Sequence, residues 1–193
     1  MARPLLFLVA LGLLGCSPVR SKQPLSDPKE AKLDERLLGT WSGTLDDRLF
    51  SVHVIGHKDG QLDLVVVADR GGDGAQVLHY QGHETISEGL RYLSVREKTF
   101  EDPLGEKFTL APRWLFAKID FVADGGLKIA WLNSDMVTDA IETGALKGKS
   151  PTAGDTVIED DPARMLGFLK NPNVWKPLKT TLRKWEPPAK KKR

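Results

Sequence analysis

The chain has 193 residues, of which 40% are hydrophobic, 7% aromatic and 28% charged. That is enough apolar material for one domain with a real core. A single cysteine, Cys16, excludes a disulfide framework and a cysteine-rich zinc site. The net charge of +2 hides an asymmetry. Basic residues collect at the C-terminal end (Lys176, Lys179, Arg183, Lys184, Lys190, Lys191, Lys192, Arg193), and the body before them is net acidic.

At the start, Arg3 precedes an apolar stretch from Leu5 to Leu14. A bilayer-spanning helix needs about 20 apolar residues, so this stretch is too short to span. A charged start, an apolar run and small residues after it have the layout of a secretory signal over residues 1–15. Leu13-Leu14-Gly15-Cys16 resembles the lipobox of bacterial lipoproteins. The resemblance implies cleavage before Cys16, a diacylglycerol on its thiol and an acylated new amino terminus. One acyl chain binds marginally and two or more hold firmly, so this anchor needs no help from the protein. The alternative is an ordinary secretory signal whose cysteine is incidental. Ser17, where Asp would mark retention at the inner membrane, implies an outer-membrane site facing the periplasm.

Residues 16–32, with Pro18, Pro24 and Pro28 and few aliphatics, read as a lipidated cysteine followed by a flexible tether. The folded domain is expected over residues 33–185. Arg48–Gly56 and Gln61–Asp69 are β-rich runs joined through Asp59-Gly60, a tight-turn pair. Gln76–Ser87 pairs with Leu90–Arg96 through Glu88-Gly89, and Trp114–Val122 pairs with Leu127–Leu132 through Asp124-Gly125-Gly126. Successive hairpins predict a mainly β fold, a single antiparallel barrel-like domain. Two short helices interrupt it. Ser134 caps one that buries Met136, Val137, Ala140 and Ile141 and ends at Gly144. The other starts at Asp160 or Asp161 with Pro162 in its first turn and turns Met165, Leu166, Phe168 and Leu169 inward. A last strand runs through Leu178, Thr180 and Leu182, and residues 186–193 form a basic disordered tail.

Leu38-Gly39-Thr40-Trp41 is similar to the Gly-x-Trp opening of lipocalins and related calycin barrels. There the tryptophan plugs one barrel end and an arginine of the last strand covers its ring. The resemblance assigns those roles to Trp41 and Arg183. The later Thr-Asp-Tyr of lipocalins is absent, since Thr138-Asp139 is followed by Ala140. The segments 82–86, 91–96 and 140–148 together resemble a family of uncharacterised bacterial proteins, often lipoproteins.

Four histidines, His53, His57, His79 and His83, fall in the first half without an HExxH pair or a carboxylate cluster, so they read as surface residues and not as metal ligands. No G-x-S-x-G elbow is present and the sole thiol is committed to lipid, so neither a catalytic residue nor a cofactor is expected. Trp114, Phe116, Phe121 and Trp131 lie on adjacent predicted strands. They are core residues or, in a calycin-like cup, the lining of a pocket for an acyl chain or other small apolar ligand. The expectation is a non-enzymatic, lipid-anchored envelope protein whose barrel binds such a ligand; the alternative is a filled barrel acting through its surface. Its basic tail would touch anionic headgroups, and nucleic acid is excluded by the compartment.

Overall fold

The computed structural model describes residues 19–45, 48–98, 113–150, 156–177 and 180–185. Cys16, Asp46, Asp47, Leu178 and residues 186–193 lie outside them. Fourteen regular elements follow the chain: β1 (Arg20–Ser21), β2 (Gly39–Leu45), β3 (Arg48–Gly56), β4 (Gln61–Asp69), β5 (Ala75–Ser87), β6 (Leu90–Glu97), β7 (Leu115–Phe121), β8 (Leu127–Leu132), α1 (Ser134–Glu142), β9 (Gly148–Lys149), β10 (Val157–Ile158), α2 (Pro162–Leu169), β11 (Trp175–Pro177) and β12 (Arg183–Lys184). The domain is mainly β, as its hairpin pattern requires. Among the described residues no helix is long and apolar enough to cross a membrane.

The hairpins fall where the turn residues place them. The β5–β6 turn is the most demanding, because Glu88 (φ 50°) and Gly89 (φ 80°) both adopt the left-handed region. That pair matches the right-handed twist of the flanking strands, and only the second position is a glycine. Nine strands form one antiparallel sheet in the order β11-β8-β7-β6-β5-β4-β3-β2-β12. Twist curls this sheet until its ends meet. β11 lies antiparallel on β8, β12 lies antiparallel on β2, and Leu182 between them exchanges two backbone hydrogen bonds with Leu127 of β8, at 2.9 and 2.8 Å. The chain's last extended stretch thus follows β8 first and β2 afterwards, leaving roughly eight strand positions around the wall, the number that encloses a filled core or one small ligand.

Strand alternation gives the wall two apolar faces and hence two cores. The inner core holds Trp41, Leu62, Ile119, Leu127 and Leu182. The second core lies outside β6–β8, where Tyr92, Trp114 and Phe116 are covered by Val137 of α1, Met165 and Leu169 of α2, and Trp175. Tyr92 stacks on Trp175 with centroids 5.7 Å apart, and the Trp175 indole donates to the Leu169 carbonyl at 2.8 Å. Both helices bury the faces their periodicity predicts. The cap of α1 is Asn133 instead of Ser134, and its side chain accepts from the Asp135 amide.

The tether is corrected from Val19 onward. Val19 and Leu25 are 6% and 1% exposed and belong to the outer core. β1 pairs parallel with β10, Ser21 and Trp114 exchange backbone hydrogen bonds of 2.8 Å, and the Leu25 amide donates to Ser94 Oγ. A proline-rich, polar composition lowers the chance of a core, but two aliphatics set among backbone partners suffice to dock the segment. It descends the outside of β5 and β6 and crosses one end of the barrel before entering β2.

Candidate functional site

The two ends of the barrel differ. One end carries the β3–β4, β5–β6 and β7–β8 turns and is closed. Trp41, 2% exposed, fills it and donates its indole N–H to the Leu37 carbonyl at 2.8 Å. Leu37 closes the short 3-10 turn Glu35–Leu37 that lies across this end. Trp41 therefore occupies an end-plug position. The cation over its ring is Lys184, with Nζ 5.6 Å from the centroid, and not Arg183. Lys184 is the register partner of Trp41 and shares its face, whereas Arg183 opposes Ser42, points outward and pairs with Asp124 at 2.6 Å. One residue of register decides the identity.

Beside the plug sits an ion network that sequence reading did not find. Arg91 Nη1 donates to Glu84 Oε1 at 2.8 Å and to Asp34 Oδ2 at 2.6 Å. Arg36 joins Asp34 and lies 4.4 Å from the centroid of the Phe121 ring. The Glu84 side chain is 2% exposed. Burial pushes its carboxyl above the ordinary range, and Arg91 opposes that rise. Hydrogen bonding from Arg36 holds Asp34 below its usual value. The signal available in the sequence was Glu84 and Arg91 at inward positions of β5 and β6, legible only once the register was known.

At the opposite end the inner wall stays apolar, and among the described residues nothing corresponds to the Trp41 plug. Phe50, Val66, Leu78, Leu115 and Trp131, from five different strands, are partly exposed there. Tyr80 faces the same space, and burial, with Glu97 second, pushes its phenol up to about 12. Glu97, register partner of Tyr80, is raised by burial and restrained by Arg20. An apolar ring with a few converging polar groups is the usual make-up of a small-molecule site.

The four aromatics expected to line a pocket do not meet. Trp114 and Phe116 face outward into the core beneath the helices. Phe121 and Trp131 face inward, Phe121 near the plug and Trp131 near the open end. Residues 114 and 116 share a strand face that residue 121 cannot share. Only Trp131 remains at the open end.

The histidines scatter. His53 bonds Thr40 Oγ1 at 2.8 Å, and His57 pairs with Asp63 at 3.1 Å. His83 is buried edge-on to Trp114 with its Nε2 on the Ser26 carbonyl, and burial lowers its pKa. Among the described residues no three His, Cys, Asp or Glu side chains are placed to hold a metal ion. Comparisons with family models, with curated proteins and with solved structures found no match to this chain.

Proposed function

We propose that this is a lipid-anchored protein of the bacterial cell envelope that binds a small apolar ligand, without catalysis, in the half of its barrel where the apolar inner wall is partly exposed. The observation that carries the reading is the asymmetry of the inner wall. It is packed solid around Trp41, Ile119 and Leu182, and partly exposed and apolar at Phe50, Leu78, Leu115 and Trp131. Tyr80 and Glu97 supply a polar handle beside that ring, which suits a ligand with an acyl-like body and one polar group. The lipid-anchor reading rests on Leu13-Leu14-Gly15-Cys16, and Ser17 in place of Asp supports an outer-membrane location facing the periplasm.

A second reading has one observation in its favour. The outer face of β3–β5 exposes Leu49, Ile55 and Val77, which suits contact with another protein.

The test uses the parity of β5. A fluorescent acyl probe is titrated into wild-type protein, Leu78→Glu and Val77→Glu. The neighbours occupy opposite faces, so Leu78→Glu should weaken binding about tenfold or more, the effect of a misplaced charge in an apolar site. Val77→Glu should leave it unchanged. Equal binding by all three proteins refutes the ligand site. Separately, Cys16→Ser should move the protein out of the detergent phase, and continued partitioning into detergent refutes the anchor.

A further inference from the structure

We infer that the open end of the barrel faces the bilayer to which the protein is anchored, so that its ligand exchanges directly with the membrane. The inference rests on the lipid-anchor reading of Cys16 and on where the fold takes up the chain. Only Ser17 and Pro18 separate Cys16 from Val19, which is already buried in the domain. Three residues extend at most about 10 Å, so whatever surrounds Val19 must sit at the headgroups.

What surrounds it is the rim of the open end. Arg20 and Ser21 follow immediately, and Ser21 is bridged to Trp114, the residue before β7. β7 then opens with Leu115, one of the partly exposed apolar residues of the inner wall. Arg96, in the last turn of the wall made by β6, lies over the Trp114 ring at 5.2 Å, and Arg113 adjoins it in the chain. Arg20 acts on the Glu97 carboxyl and Arg96 donates to Gln81 Oε1, so the chain entering from Cys16 is held against this rim by several contacts. A spacer of sixteen or so residues would have left the domain free to tumble at a distance. Docking of residues 19–32 onto the barrel removes that freedom.

At the other end of the domain, Trp185 donates its amide to the Thr40 carbonyl at 2.8 Å, beside the Trp41 plug.

The experiment places one label at each end of β5. Val77 is 48% exposed and Ile86 56% exposed, and the nine residue steps of strand from one to the other span about 30 Å. The full-length acylated protein carrying Val77→Cys or Ile86→Cys, its own thiol blocked by lipid, is labelled with an environment-sensitive fluorophore. It is then reconstituted into phosphatidylcholine–phosphatidylglycerol vesicles containing a headgroup-nitroxide lipid. The label at 77 should be quenched severalfold more than the label at 86. Equal quenching, or stronger quenching at 86, overturns the orientation and leaves the anchor standing. Protein that is not acylated and stays off the vesicles overturns the anchor and the orientation together.

Discussion

Replacing Arg91 by Met asks whether charge or packing holds the closed end. Arg91 binds Glu84 and Asp34 at 2.8 and 2.6 Å, and the Glu84 side chain is 2% exposed. Removing one member of so deep a pair strands the other in a low dielectric, at a typical loss of about 3–5 kcal/mol. The remaining charges facing Glu84 are Asp34 and Arg36, and the Arg36 side chain is 63% exposed, so solvent screens most of what it offers. Burial already raises Glu84 above its ordinary value of 4.5, and loss of Arg91 raises it further. A carboxyl with a folded pKa above its unfolded value favours the folded state below the unfolded value. That contribution is lost as pH rises through the folded pKa, at about 1.4 kcal/mol per unit. Urea unfolding of wild type, Arg91→Met, Glu84→Gln and the double variant, from about pH 4 to about pH 8, reads the effect. Arg91→Met should lose about 3–5 kcal/mol at neutral pH and recover much of it toward pH 5. The double variant should lose less than the sum of the two singles, because no carboxylate is stranded. A pH-independent loss in Arg91→Met, together with additive singles, would refute the argument and leave the plug held by packing alone.

Two further outcomes follow from burial. Trp41→Ala should cost about 3–5 kcal/mol, and Trp41→Phe should cost less because it loses mainly the bond to Leu37; an unchanged urea midpoint for Trp41→Ala would show that the end is not plugged by this ring. Leu25→Asp puts a carboxylate at a 1% exposed site and should lower the melting temperature strongly, whereas Lys29→Asp on the exposed turn nearby should not. Equal melting temperatures for the two would mean that residues 19–32 are a tether after all.

Local chemistry was enough to place most of the strands. Asp59-Gly60, Glu88-Gly89 and Gly125-Gly126 each permit a tight reversal, and the runs between them alternate with period two. These are properties of two to nine neighbouring residues, so the sequence displays them directly. The helix faces were legible for the same reason, since Val137 and Ala140, or Met165 and Leu169, recur at helical spacing. The start of α1 was not. Asn133 and Ser134 are both good caps, and a hydrogen bond of 2.8 Å from the Asn133 amide to the Val174 carbonyl, across the chain, accompanies the choice of Asn133.

The candidate site depended on long-range register, which local pattern leaves open. Alternation alone shows that Trp114 and Phe116 share one face and that Phe121 takes the other. It does not say which face is the barrel interior, because both are apolar: one meets the opposite wall, the other meets α1, α2 and residues 19–25. Likewise the lipocalin resemblance put Arg183 over Trp41, and the β2–β12 register puts Lys184 there instead. Glu84, Arg91 and Asp34 become a network only when β5, β6 and the segment before β2 converge. Turn chemistry and period come from short-range sterics and hydrogen bonding and are written residue by residue. Register, closure and the choice of inner face come from burying two apolar surfaces at once, and that free energy exists only when the whole sheet has curled.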